Sequence, residues 1–116
     1  LILFWSLSSC DNSLHLDNFD KKTWVEDKNG CKNMRLSYLE SIEKQKDKLK
    51  NLSQKEIVSI FGNPDAQDLM KRNAKTFTYF LSKGSQCQKG QKEGLALIIR
   101  FGALDYVSEI QRNRYE

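Results

Sequence analysis

One proline, one histidine and three cysteines in 116 residues narrow the chemistry open to this chain. The only histidine, His15, sits in a polar stretch near the N-terminus. No C-x-x-C pair or Cys/His cluster accompanies it, so a metal site of the usual zinc spacing is not expected. A thiol or hydroxyl nucleophile needs a base beside it, and no histidine follows His15 to serve as one. Gly84 and Gly90 flank polar residues but make no G-x-G-x-x-G, and no paired-carboxylate motif is present. We therefore expect no catalytic residue, no metal and no cofactor: a protein that is not an enzyme. Long apolar runs are missing too. The opening stretch, Leu1 to Leu7, is too short for a membrane-spanning helix, which needs about 20 residues. Charge of one sign is never concentrated. The 19 basic and 15 acidic residues, net +4, alternate along the chain, and no five consecutive residues share a sign. That pattern reads as a solvated surface, and no nucleic-acid partner is expected.

What is present suits one small globular domain with one modest core, at 39% hydrophobic and 29% charged residues. The chain opens LILFWSLSSC with no initiator Met. An apolar run, then small polar residues, then Cys has the form of a signal-peptide tail whose charged leading part is missing. Leu7-Ser8-Ser9-Cys10 resembles the bacterial lipobox, in which the Cys is lipidated and becomes the first residue of the mature protein. Small residues there let the peptidase close on the backbone. The resemblance implies two or three acyl chains on Cys10, enough for stable membrane anchoring where one is marginal. Residues 11–22 mix Asp, Asn, Ser and Lys around isolated apolar residues, which suits a flexible tether. The expected organisation is therefore a signal remnant with lipobox at 1–10, a tether at 11–22 and a domain at 23–116.

Three cysteines is an odd count for an exported chain. Lipid on Cys10 removes one, leaving Cys31 and Cys87, and thiols outside the cytoplasm tend to pair. Such a bridge would close a loop of about 56 residues, which the chain-entropy model values at roughly 4 kcal/mol before native strain.

Within the domain, Leu36, Leu39, Ile42 and Leu49 fall near one face of a helix running from about Lys32 to Lys48. A second, short helix carries the clearest local signature. Ser53-Gln54-Lys55-Glu56 is a capping box, Leu52 and Ile57 can form a hydrophobic staple, and Gly62 and Pro64 end the helix. Its span is about Gln54 to Phe61. Three strands follow a polar connector: KTFTYFLS at 75–82, GLALIIRF at 94–101 and YVSEIQR at 106–112. A long polar loop between the first two holds Cys87. The order α-α-β-β-β suggests an α+β fold with two N-terminal helices on one face of a three-stranded antiparallel sheet.

The block LSQKEIVSIFGNPD, the strand around FTYFL, and LALIIRF with its turn into YVSEI resemble the BamE/SmpA/OmlA family of small outer-membrane lipoproteins. The pattern is also similar to the related fold of the β-lactamase inhibitor proteins. The resemblance covers about Leu52 to Gln111. It implies a lipid-anchored protein of the cell envelope, the outer membrane favoured, with its domain in the periplasm or at the cell surface. It further implies a non-enzymatic protein-interaction role, in outer-membrane assembly or maintenance, with an envelope protein as partner. The alternative is a secreted-enzyme inhibitor binding through the loop at 82–93. A monomer is expected. Consecutive apolar residues in the strands make both sheet faces partly apolar, and two helices cover only one. Phe77, Tyr79, Phe80 and Ile98 are therefore the candidate partner-binding residues, unless tether or loop covers that face. Trp24 is expected in the core, with partner binding as the alternative. Asp27 and Arg35 are either a structural ion pair at a helix start or unrelated surface charges.

Overall fold

A computed structural model of the protein describes residues 15–69, 74–88 and 94–115. Cys10, its lipobox and the first part of the expected tether lie outside the described residues. The chain forms α1 (Lys21–Glu26), single 3-10 turns at Lys28–Gly30 and Arg35–Tyr38, then α2 (Leu39–Lys44), α3 (Lys46–Leu49) and α4 (Gln54–Phe61). Four strands follow: β1 (Ala66–Leu69), β2 (Lys75–Phe80), β3 (Gly94–Phe101) and β4 (Val107–Tyr115). The fold is α+β, and the sheet is an antiparallel meander in the order β1-β2-β3-β4.

Three expectations change. The sheet has four strands rather than three, because Ala66 to Leu69 pairs with Lys75 to Thr78. AQDL is short, polar and mostly exposed, so it carries no alternation to announce a strand. The long first helix is broken. Asn33 adopts a positive φ of 60°, and the Asp27 carboxylate draws off the N–H groups of Lys32, Met34 and Arg35. Regular helix therefore starts only at Leu39, and it breaks again at Gln45. There the Gln45 side chain grips residue 17, accepting from Asp17 N at 2.7 Å and donating to Asp17 O at 2.8 Å. Part of the segment expected to be a tether, residues 16–22, is instead packed or helical. Leu16 is buried in the core, Phe19 packs on it, and α1 begins at Lys21.

The core lies between the helices and one face of the sheet. Strand alternation sends Phe77, Tyr79, Leu97, Ile99, Phe101 and Ile110 inward, where they meet Trp24, Ile42, Leu49, Ile57, Ile60 and Phe61. Trp24 is central, with ring centroids 5.2 Å from Phe61, 5.3 Å from Phe19 and 5.8 Å from Tyr79. Each such buried ring removes a large apolar area from water, and the tilted contacts suit aromatic quadrupoles. α4 forms where its local signals place it. Ser53 Oγ accepts from Glu56 N at 3.2 Å, and Glu56 Oε1 accepts from Ser53 N at 2.9 Å. Its entry is fastened to the sheet, since Val107 N donates to Leu52 O and Asn51 N to Val107 O.

Candidate functional site

The polar chemistry of the domain gathers where α1, the two 3-10 turns and the ends of β1 and β2 meet. Asp27 follows α1 directly and is buried. Its carboxylate accepts from Lys32 N at 2.7 Å, Met34 N at 2.7 Å and Arg35 N at 3.0 Å. Three backbone donors that no helix serves are thereby satisfied. Fixing Arg35 N orients the Arg35 side chain inward.

Arg35 does not pair with Asp27, as the sequence suggested; it pairs with Asp65. Nη1 donates to Asp65 Oδ2 at 2.6 Å and to Phe80 O at 3.1 Å, and Nε donates to Trp24 O at 2.8 Å. The guanidinium carbon lies 4.9 Å from the centre of the Trp24 ring, a cation–π distance. Both side chains are 2% exposed. Asp65 in turn accepts from Phe80 N at 2.9 Å and Asn29 N at 3.2 Å. The pair thus joins α1, both 3-10 turns, the residue just before β1, and β2. A buried ion pair is tolerable only when its hydrogen-bonding capacity is met in this way. Asp65 carries no signal in the sequence beyond following Pro64.

Cys31 and Cys87 form a disulfide with their Cα atoms 5.7 Å apart. It ties the turn before Arg35 to the segment after β2. Gln86 Nε2 adds a hydrogen bond to Asn29 O at 2.6 Å. Gly30 makes this approach possible. It has φ +67°, and a Cβ there would stand 2.5 Å from Phe80 O.

Beside the ion pair opens a cavity of about 220 Å³, lined by Val25, Lys28, Arg35, Phe61, Asn63, Pro64 and Asp65. A second depression, about 180 Å³, lies on the sheet face away from the helices, around Thr76, Ile98, Arg100, Glu109 and Gln111. The four candidate partner-binding residues do not share a face. Phe77 and Tyr79 are buried in the core, whereas Phe80 and Ile98 belong to the opposite face and are half-buried. Tyr79 is instead a structural link. Its hydroxyl donates to Gly62 O at 2.8 Å. Burial, reinforced by the Asp65 carboxylate and opposed by Arg35, pushes the phenol well above its ordinary pKa. Trp24 is likewise core, with its Nε1 the one fully shielded side-chain N or O among the described residues that lacks a partner.

Among the described residues, no group of three or more His, Cys, Asp or Glu could hold a metal ion. None of their helices is long and apolar enough to cross a membrane. No protein-family model, no curated protein and no solved structure matches this chain.

Proposed function

We propose that this protein is a non-enzymatic interaction module of a bacterial cell envelope, held to a membrane by lipid on Cys10. The observation that carries the reading is the Cys31–Cys87 bridge. It suits an oxidising compartment and leaves Cys10, in its LSSC setting, as the single cysteine outside the pair. The resemblance to small outer-membrane lipoproteins supports the same placement, with the outer membrane favoured. The interaction surface in this reading is the sheet face away from the helices, around Ile98. Thr78 on β2 and Gln111 on β4 lie directly opposite Ile98, and Thr76, Arg100 and Glu109 line the depression beside it. Ile98 gives a partner an apolar contact at the centre of a polar and charged surround that can hydrogen-bond at the rim.

Two measurements test this. Mass spectrometry of the protein from its native host should find Cys10 acylated; a free thiol there removes the anchor. A photo-crosslinker at Ile98 in intact cells should trap a discrete envelope protein, while one at Lys44, on exposed helix surface, should not. Equal, diffuse adducts from both positions would count against a docking face.

A further inference from the structure

Arg35 is saturated on one side only. Nε and Nη1 make three hydrogen bonds, to Trp24 O, Asp65 Oδ2 and Phe80 O. Nη2 makes none with any described residue. Among the fully shielded polar side-chain atoms described, only Trp24 Nε1 lacks a partner. Nη2 is therefore not fully shielded, and the surface to which Arg35 contributes its small exposed area is the cavity of about 220 Å³. A guanidinium that is 2% exposed, fixed by three acceptors and a ring face, with one pair of donors left over, is a preorganised anion receptor.

The rest of the cavity defines what anion it fits. Lys28, exposed at the rim, adds a second positive charge, and Asn63 adds an amide. The Asp65 carboxylate does not cancel both. Oδ2 is engaged by Arg35 and Phe80 N, and Oδ1 by Asn29 N, so the lining keeps one net positive charge. Val25, 44% exposed, and half-buried Pro64 form an apolar wall backed by the fully buried Phe61. The cavity is smaller than the roughly 300 Å³ at which pockets for whole small molecules begin. It fits a single chemical group together with a short aliphatic neighbour.

We propose that this cavity binds a carboxylate of a partner protein lying next to a small aliphatic side chain, as at a chain terminus ending in Val or Ala. The carboxylate meets Arg35 Nη2 and Lys28, and the aliphatic group rests on Val25 and Pro64. This deepens the interaction reading by naming the chemistry of the partner, and it rests on that reading only for the partner's being a protein.

The probe is N-acetylvaline, titrated into the full domain while backbone amide shifts are followed by NMR. Saturable shifts are expected at Val25, Lys28, Phe61 and Asn63, with weak affinity of about millimolar. N-acetylvalinamide, which lacks the charge, should leave these amides unmoved. Lys28→Glu, a rim change that touches none of the buried contacts, should weaken binding about fivefold. An acetylated peptide with an internal Asp-Val separates a side-chain carboxylate from a terminal one. Equal binding of N-acetylvaline and its amide would overturn the proposal, as would the absence of saturable shifts at these residues. Tighter binding of inorganic phosphate than of N-acetylvaline would overturn the choice of carboxylate. If these titrations fail while crosslinking from Ile98 succeeds, the interaction module stands and only its carboxylate site is lost. Success here with no adduct from Ile98 moves docking from the sheet to this cavity.

Discussion

The Arg35 junction and α4 hold the same core from neighbouring positions, but by opposite means. α4 is built from contacts three or four residues apart: a reciprocal cap between Ser53 and Glu56, a stripe of Ile57, Ile60 and Phe61, and a glycine stop at φ +80°. The junction is built from contacts spanning 5 to 58 residues, most of them 30 or more, in which two carboxylates, one guanidinium and a disulfide join four segments. Local contacts form with little chain-closure cost and each contributes modestly. Long-range polar contacts at a buried site are costly to leave half-made, so their loss is expected to be severe.

The largest effect should come from Asp65→Ala. It leaves Arg35 buried without a counter-charge and strips acceptors from Phe80 N and Asn29 N. Breaking such a pair costs about 3–5 kcal/mol, a large share of a small domain's stability. Urea denaturation should show it as a lower midpoint. A loss below about 1 kcal/mol, the range of an exposed pair, would mean that the junction is not the fold's organising centre. Next in size is the paired replacement Cys31→Ser with Cys87→Ser, expected to cost about 2–4 kcal/mol. Amide exchange should rise first at residues 28–31 and 84–88. Uniform acceleration across the domain would show that the bridge constrains the unfolded chain without organising the junction.

The same contrast sets what could be read from the sequence. The boundaries of α4 and of β3 were legible to the residue, because capping chemistry and apolar runs are local properties. The Cys31–Cys87 pair followed from counting. Arg35 and Asp27 stood out as charges near a helix start, but the true partner, Asp65, lies 30 residues away in a segment that read as polar connector. No periodicity marks a residue whose importance comes from what the fold brings to it. The four-residue β1 was hidden for a related reason: an edge strand of AQDL is defined by its neighbour β2, not by its own pattern. The sheet aromatics were correctly placed on strands. Dividing them between faces required the register, which sends Phe77 and Tyr79 to the helices and Phe80 and Ile98 away.

Tyr79 connects the two regions, and pH can isolate it. Its hydroxyl is bonded to the carbonyl of Gly62, the residue ending α4, while Asp65 of the junction helps keep it protonated. A phenol whose folded pKa is raised contributes stability that is intact below the unfolded value of about 10. Above that pH the unfolded chain ionises and the folded one does not. Stability then falls by about 1.4 kcal/mol per pH unit until the folded pKa is reached. Tyr79→Phe should begin about 1 kcal/mol less stable at neutral pH and lose less on going above pH 10. Parallel alkaline curves for the two proteins would show that Tyr79 is not held neutral by its surroundings.

The smallest effect tests whether α4 is as self-contained as its sequence suggests. Ser53→Ala removes one half of the capping box and should cost about 1 kcal/mol. If α4 stands on local contacts, combining Ser53→Ala with the two cysteine replacements should give a sum additive to within about 0.5 kcal/mol, as for distant sites without shared partners. The geometry leaves one route by which additivity could fail. Phe61, at the far end of α4, packs on Trp24, the ring beneath the Arg35 guanidinium. A coupling well beyond additivity would mean that loosening the start of the helix is felt through Phe61 and Trp24 at the junction. The two regions would then be one cooperative unit, with the cap as its exposed end.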